Sequence, residues 1–178
     1  MTRSRARATG AVYLLYFLTV ILATSLVGRV PVAYSNVANL IANAVYIAVT
    51  LLLYEMFKPV SRNLALLAVA ISLVGCTVQS LSLFHLVSPQ SSLPIFGFFN
   101  LAIGYLILRS TFLPRALGIL MALSGLGWLM VLSPELAKHI GAYIEIIGIA
   151  AEGFLMLWLL VMGVNVQRWN EQAATVSR

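Results

Sequence analysis

The chain has 178 residues and a net charge of +6, and 61% of its residues are hydrophobic while only 9% are charged. A soluble domain is about 25% charged, and a chain of this length cannot bury so much apolar surface away from water. The composition therefore excludes a soluble domain and predicts an all-α polytopic membrane protein. The basic residues are spread between apolar segments, which argues against a nucleic-acid partner.

Six apolar windows follow one another along the chain. Each is long enough to cross about 30 Å of hydrocarbon as a helix. They predict a single membrane domain over residues 1–178, built as a six-helix transmembrane bundle in which consecutive helices pack as antiparallel neighbours. The predicted spans are approximately residues 9–28, 36–57, 63–86, 93–109, 115–132 and 141–164.

The residues beside these windows indicate where the helices end. The first window is longer than the apolar core of a signal peptide, which has about 7–15 residues, so we interpret it as a true span. All six prolines lie in or beside connections. The run Ser133-Pro134-Glu135 has the residue types of a helix N-terminus, which predicts that the last helix begins before Gly141.

The basic residues also predict the orientation in the membrane. With the N-terminus inside, nine basic residues fall in inner segments, and only Arg29 and Lys138 fall in outer ones. We therefore expect both termini in the cytoplasm. The inner residues are Arg3, Arg5, Arg7, Lys58, Arg62, Arg109, Arg115, Arg168 and Arg178.

Polar residues recur at helical spacing inside the predicted spans, so most spans have one polar face. The second span contributes Asn43, the third Gln79, the fourth Asn100, and the sixth Glu145 and Glu152. Unsatisfied polar groups are costly in lipid, so these side chains must meet one another or line a hydrated cavity. Hydrogen bonding that only joins helices is one reading, and a binding site is the other.

Glu152 carries the strongest physical argument for a site. It lies at the centre of the sixth window, and no lysine or arginine lies in the hydrophobic part of any span. A carboxylate at mid-bilayer costs about 2.5–3.5 kcal/mol or more, so Glu152 is expected to be protonated, paired or hydrated. It is either a ligand, ion or proton site, or a protonated acid hydrogen-bonded between helices.

The depth of the polar residues predicts where a pocket would open. At about 1.5 Å per residue, Asn43 and Gln79 lie about 5–6 Å outward of mid-span, and Glu145 lies about 11 Å outward of mid-depth. The cytoplasmic half is almost entirely apolar. We therefore expect an outward-facing polar pocket centred on Glu152 and lined by Asn43, Gln79, Asn100 and Glu145.

The sequence contains no apparent catalytic or metal-binding arrangement. It has no evident nucleophile–base pair, phosphate-binding glycine loop or paired catalytic carboxylate, so we expect no enzyme activity and no cofactor. His85 and His139 lack the spacing of metal ligands, so we expect no metal site. An intramembrane enzyme would require His85, Glu145 and Glu152 to share one cavity.

Three segments of the chain carry a family resemblance. The main segment is Gly104–Leu120, and Tyr54–Arg62 and Glu152–Asn165 support it. They resemble a family of bacterial membrane proteins known as domain of unknown function number 4386. The resemblance extends over roughly residues 8–169.

This resemblance implies a multi-span protein of the bacterial inner (plasma) membrane with no assigned activity. It also implies that Glu152, Pro114 and Arg115 match family positions. The first outer loop, Arg29 to Ser35, is shorter than the family leads us to expect.

Two functional hypotheses follow from the sequence. In the first, the protein binds or moves a small ligand or a proton through the pocket at Glu152. In the second, it is a structural or accessory subunit of a membrane complex, and its polar faces only fix helix packing. The expected partners are the lipid bilayer, a small ligand or proton, and a membrane-protein partner or a second copy of the chain.

Overall fold

The computed structural model describes residues 2–176, without the side chains at positions 134, 136, 137, 140, 142 and 176. Each of the six predicted windows overlaps an α-helix, with ends that differ by up to seven residues, and a seventh helix of 11 residues follows. The helices are α1 (Arg3–Leu26), α2 (Val32–Phe57), α3 (Arg62–Ser82), α4 (Leu93–Arg109), α5 (Arg115–Met130), α6 (Pro134–Val161) and α7 (Val166–Val176), with a 3₁₀ turn at Pro89–Ser92.

The helix ends follow from the local sequence. The side-chain hydroxyl of Thr2 accepts a hydrogen bond from Arg5 N at 3.2 Å at the start of α1. Ser61 does the same for Leu64 N at 3.4 Å at the start of α3. Helix α6 begins at Pro134, directly after Ser133. The prediction that the last helix begins before Gly141 is therefore confirmed.

The helices have the dimensions of a membrane bundle. Five of them are long and apolar enough to cross a membrane, counting the 3₁₀ turn with α4, and α5 is a shorter apolar helix of 16 residues. The described residues contain no β-strand. The predicted fold class, an all-α polytopic membrane bundle, is confirmed.

Helices α1 to α6 form a closed ring. Each packs against its neighbours in the sequence, and α6 returns to pack against α1. Glycines permit the closest approaches. A Cβ added at Gly125 of α5 would lie 2.7 Å from the carbonyl oxygen of Gly97 in α4, and one added at Gly104 would lie 2.8 Å from Ala122 N. Small residues of α4 and α5 thus lie at the contact between these two helices.

The ring has one strongly basic end. Hydrogen bonds join the start of α1, the α4–α5 loop and the end of α6 there: Arg7 Nη2 donates to Val161 O at 2.8 Å, and Asn165 N donates to Phe112 O at 3.3 Å. Of the described basic residues, only Arg29 and Lys138 lie at the opposite end, and Arg178 lies outside the described residues. We call the first end the basic end; it holds Arg3, Arg5, Arg7, Lys58, Arg62, Arg109, Arg115 and Arg168.

Helix α7 is the main element that the sequence analysis missed. Gly163 has a φ of +71°, a backbone conformation that side-chain-bearing residues rarely adopt, and it ends α6. Asn165 Oδ1 then accepts a hydrogen bond from Arg168 N at 3.1 Å and caps α7. Trp169 Nε1 donates to Met56 O at 2.9 Å. Helix α7 therefore docks against the basic end rather than continuing as a tail.

Candidate functional site

The side chain of Glu152 joins three helices inside the ring. It comes from α6 and accepts a hydrogen bond from the Tyr13 hydroxyl of α1, with an Oη–Oε2 distance of 2.8 Å. Asn100 Nδ2 of α4 donates to Glu152 Oε1 at 3.4 Å. The carboxyl group therefore lies where helices distant in the sequence meet, and both of its neighbours are uncharged.

Asn100 extends this arrangement to a fourth helix. Its side chain is fully buried, and Nδ2 also donates to Ser124 Oγ of α5 at 3.1 Å. Within the described part of the chain, no group donates a hydrogen bond to Asn100 Oδ1. A buried amide oxygen without a donor is costly, so this atom is ready to accept a hydrogen bond.

Aromatic rings surround the site on the side of α1 and α2. The Tyr46 ring centroid lies 4.6 Å from that of Tyr16 and 6.4 Å from that of Tyr13. Phe96 and Phe99 of α4 lie against the other side of Tyr46, at 5.5 and 5.9 Å. This packing places apolar rings beside the hydrogen-bonded groups, and a surrounding of low polarity strengthens their electrostatic interactions.

No cation balances Glu152 among the described residues. The ion pairs in this part of the chain are Lys58 with Glu55 at 2.7 Å and Lys138 with Glu135 at 3.7 Å, and both lie near helix ends. An unpaired carboxylate inside a bilayer is expensive. The surroundings of Glu152 therefore favour a neutral acid or the uptake of a compensating positive charge.

The other predicted site residues occupy different surroundings. Asn43 Nδ2 donates to Ser80 Oγ at 3.0 Å and to Cys76 O at 3.5 Å, so it joins α2 to α3. The half-buried side chain of Gln79 makes no hydrogen bond within the described residues, and that of Glu145 is exposed. The structure thus brings Asn100 to Glu152 and places Asn43 in a separate helix contact.

Tyr13 and Ser124 are the contacts that sequence reasoning did not select. Tyr13 is fully buried and is the nearest hydrogen-bond donor to Glu152. Two features of the sequence pointed to Tyr13: it lies on the polar face of the first span, and Glu152 needs an uncharged partner. Ser124 lies in the fifth predicted span, for which the sequence analysis proposed no site residue.

The described clefts lie mainly at the basic end rather than at the opposite one. Two of them, of about 650 and 810 Å³, are lined by the α4–α5 loop and by the region where α6 ends and α7 begins. Glu152 is only partly buried, but it lines neither of these two clefts. An outward-opening pocket at Glu152 stays a prediction.

The helix ring and its interior carboxyl group define an integral membrane protein with a buried polar site. The model of a family described as domain of unknown function (DUF4386) matches residues 90–163. The predicted resemblance is confirmed over this segment, which contains Glu152, Asn100 and Ser124. No curated protein matches the chain, and no solved structure matches it either.

Proposed function

We propose that this protein crosses the bacterial inner membrane six times and binds a proton at Glu152 as part of its activity. The observation that carries the proposal is the position of the Glu152 carboxyl group, held inside the helix ring by Tyr13 and Asn100 at 2.8 and 3.4 Å without a described cation. Ionisable groups in such positions are rare and commonly serve proton or ion pathways.

The neighbours of Glu152 suit a group that changes its protonation state. A carboxylate only accepts hydrogen bonds, whereas the neutral acid also donates one. The amide of Asn100 carries both a donor and an acceptor, and its Oδ1 has no described donor. A rotation of this amide therefore lets Asn100 donate to the charged form or accept from the neutral form.

A second candidate is a small ligand that carries a hydrogen-bond donor. Glu152 keeps partial exposure, and Asn100 Oδ1 is a buried acceptor beside it. A hydroxyl, amide or ammonium group placed here would satisfy both groups. Such a ligand and a proton would use the same carboxyl group.

The structural or accessory role is the competing function. It is favoured by interhelical hydrogen bonds that connect the ring without forming a site, such as Asn43 to Ser80 and Thr50 to Ser72 at 2.8 Å. If Glu152 had only this role, replacing its carboxyl group would alter stability and no other property.

Glu152→Gln tests the proposed function, and Glu145→Gln is its matched control. Both acids lie on α6 seven residues apart, but Glu152 faces the ring interior and Glu145 is exposed. Infrared difference spectra of the purified protein between acidic and neutral pH should show carboxylic-acid carbonyl bands, to which each titrating acid contributes. We expect Glu152→Gln to remove one component that Glu145→Gln retains.

Reconstituted vesicles provide the functional measurement. With an imposed pH gradient and a clamped membrane potential, an entrapped pH dye should report proton entry for the wild type and for Glu145→Gln, and none above empty vesicles for Glu152→Gln. A folded Glu152→Gln variant with the complete wild-type difference spectrum and wild-type proton entry would contradict the proposal and favour the accessory role.

A further inference from the structure

A cleft of about 650 Å³ opens at the basic end, where α6 ends and α7 begins. Two arginines, Arg3 and Arg168, line it, and the described lining residues include no acid. Trp158 and Gly163 form part of its wall. We propose that this cleft, here called the arginine cleft, binds the phosphate headgroup of an anionic phospholipid.

Backbone carbonyl groups hold both arginines in place. Arg3 Nε donates to Met162 O at 3.3 Å, and Arg168 Nη1 donates to Thr111 O at 3.3 Å. A guanidinium group has five N–H donors in a planar fork, a geometry that matches phosphate oxygens. Each arginine is therefore positioned by one donor and keeps others for a ligand.

The positive charge of the arginine cleft is not neutralised by the protein itself. Neither Arg3 nor Arg168 forms an ion pair with a carboxylate in the described part of the chain. Asn165 and Val166 also line the cleft, at the N-terminus of α7, where the helix dipole is positive. An anionic group in the cleft would therefore meet favourable charge from α1 and α7: the two arginines and the N-terminus of α7.

The shape of the cleft depends on Gly163. A Cβ at this position would lie 3.3 Å from Arg3 Cγ, and the φ of +71° disfavours any side chain. The glycine thus allows α6 to end abruptly and lets Arg3 pack against the turn. Without this turn, α7 would not bring Arg168 to the same cleft as Arg3.

An apolar helix face favours a lipid over a free phosphate as the ligand. Phe154, Trp158 and Met162 are spaced four residues apart on or directly after α6 and so lie near one face. Trp158 and Met162 line the arginine cleft, and Phe154 and Met162 are 55% and 50% exposed. Acyl chains can lie along this face while the phosphate stays at headgroup depth, where tryptophan is common.

Native mass spectrometry of the purified full chain tests the proposal, with phosphatidylglycerol and phosphatidylcholine of identical acyl chains as probes. We expect phosphatidylglycerol to bind at least about tenfold more tightly than phosphatidylcholine. Arg3→Gln and Arg168→Gln should each weaken phosphatidylglycerol binding about tenfold, which corresponds to the loss of about 1.4 kcal/mol. Arg29→Gln, at the opposite end of the ring, should bind it like the wild type.

Arg168 also contacts the α4–α5 loop, so Arg3→Gln gives an independent result if Arg168→Gln does not fold. Glu152→Gln should keep phosphatidylglycerol binding, because the arginine cleft does not include the interior site. Equal affinity for the two lipids, or unchanged binding in both arginine variants, would overturn the proposal. Displacement of phosphatidylglycerol by excess inorganic phosphate would assign the cleft to a free phosphate and overturn the lipid identity.

Discussion

Asn43 and Asn100 are the same residue type inside one bundle, but their side chains have different surroundings. Both are buried. Asn43 connects α2 to α3 through Ser80, whereas Asn100 connects α4 to α5 and α6 and keeps an amide oxygen without a described donor. Asn43 therefore acts in helix packing, and Asn100 belongs to the candidate site.

Replacement of Asn43 should measure the strength of such a packing contact. Interhelical hydrogen bonds in membranes contribute about 0.6 kcal/mol on average and about 1.7 kcal/mol at most. We expect Asn43→Ala to lower the free energy of unfolding by about 1 kcal/mol. Asn39→Ala is the control, because Asn39 Nδ2 donates only to Ser35 O of its own helix. Equal losses in detergent unfolding titrations would contradict a specific interhelical role.

Sequence reasoning at this scale could select polar residues but could not place all of them. Helical periodicity puts Glu145 and Glu152 on nearly the same face, yet the structure exposes Glu145 and turns Glu152 into the ring. Helical periodicity predicts the direction in which a side chain points. It does not predict which residues of other helices lie close to that side chain. The Tyr13 contact depends on α1 packing against α6, across 139 residues of sequence.

Gly10 permits close packing between α1 and α6, where the ring closes. A Cβ at Gly10 would lie 2.6 Å from Leu160 Cα and 2.8 Å from the carbonyl carbon of Leu159. These are backbone atoms, so a side-chain rotation cannot relieve the overlap. Gly10 thus lets α1 approach α6 closely enough for Tyr13 to reach Glu152.

Gly10→Ala should therefore separate the two helices and destabilise the protein. Overpacking typically costs about 1–3 kcal/mol, so we expect a lower thermal unfolding temperature in detergent and weaker hydrogen bonding of Glu152. Gly153→Ala is the matched control, because a Cβ there would meet nothing within 4 Å, and it should be neutral or slightly stabilising. A Gly10→Ala variant as stable as Gly153→Ala would argue against close α1–α6 packing.

The elements themselves differed in how well they could be predicted. The long helices follow from apolar length and from the placement of proline, and the start of α6 follows from Ser133 and Pro134. Helix α7 has only 11 residues and mixed polarity, so a scan for membrane spans misses it. Its signals were Gly163 and the capping residue Asn165, followed by apolar positions at Val166 and Trp169.

Whether the chain crosses the membrane six times depends on α5. The 16 residues of this helix extend about 24 Å, whereas the hydrocarbon core is about 30 Å thick. Its packing favours a complete crossing. Gly125 lies against Gly97 and Gly118 against Gly104, so α5 runs antiparallel along most of α4. With α5 crossing, the basic end lies entirely on one side of the membrane, as the orientation rule for basic residues requires.

Labelling of two cysteine variants tests both the orientation and this crossing. Ser91 lies in the exposed 3₁₀ turn before α4, Asn170 is exposed on α7, and the native Cys76 is buried. A membrane-impermeant maleimide should label Ser91→Cys in intact spheroplasts and Asn170→Cys only after the membrane is broken, with the unmodified chain as background. The opposite pattern would reverse the orientation. Labelling of both from outside would mean an even number of crossings between them, and α5 would then lie within one leaflet.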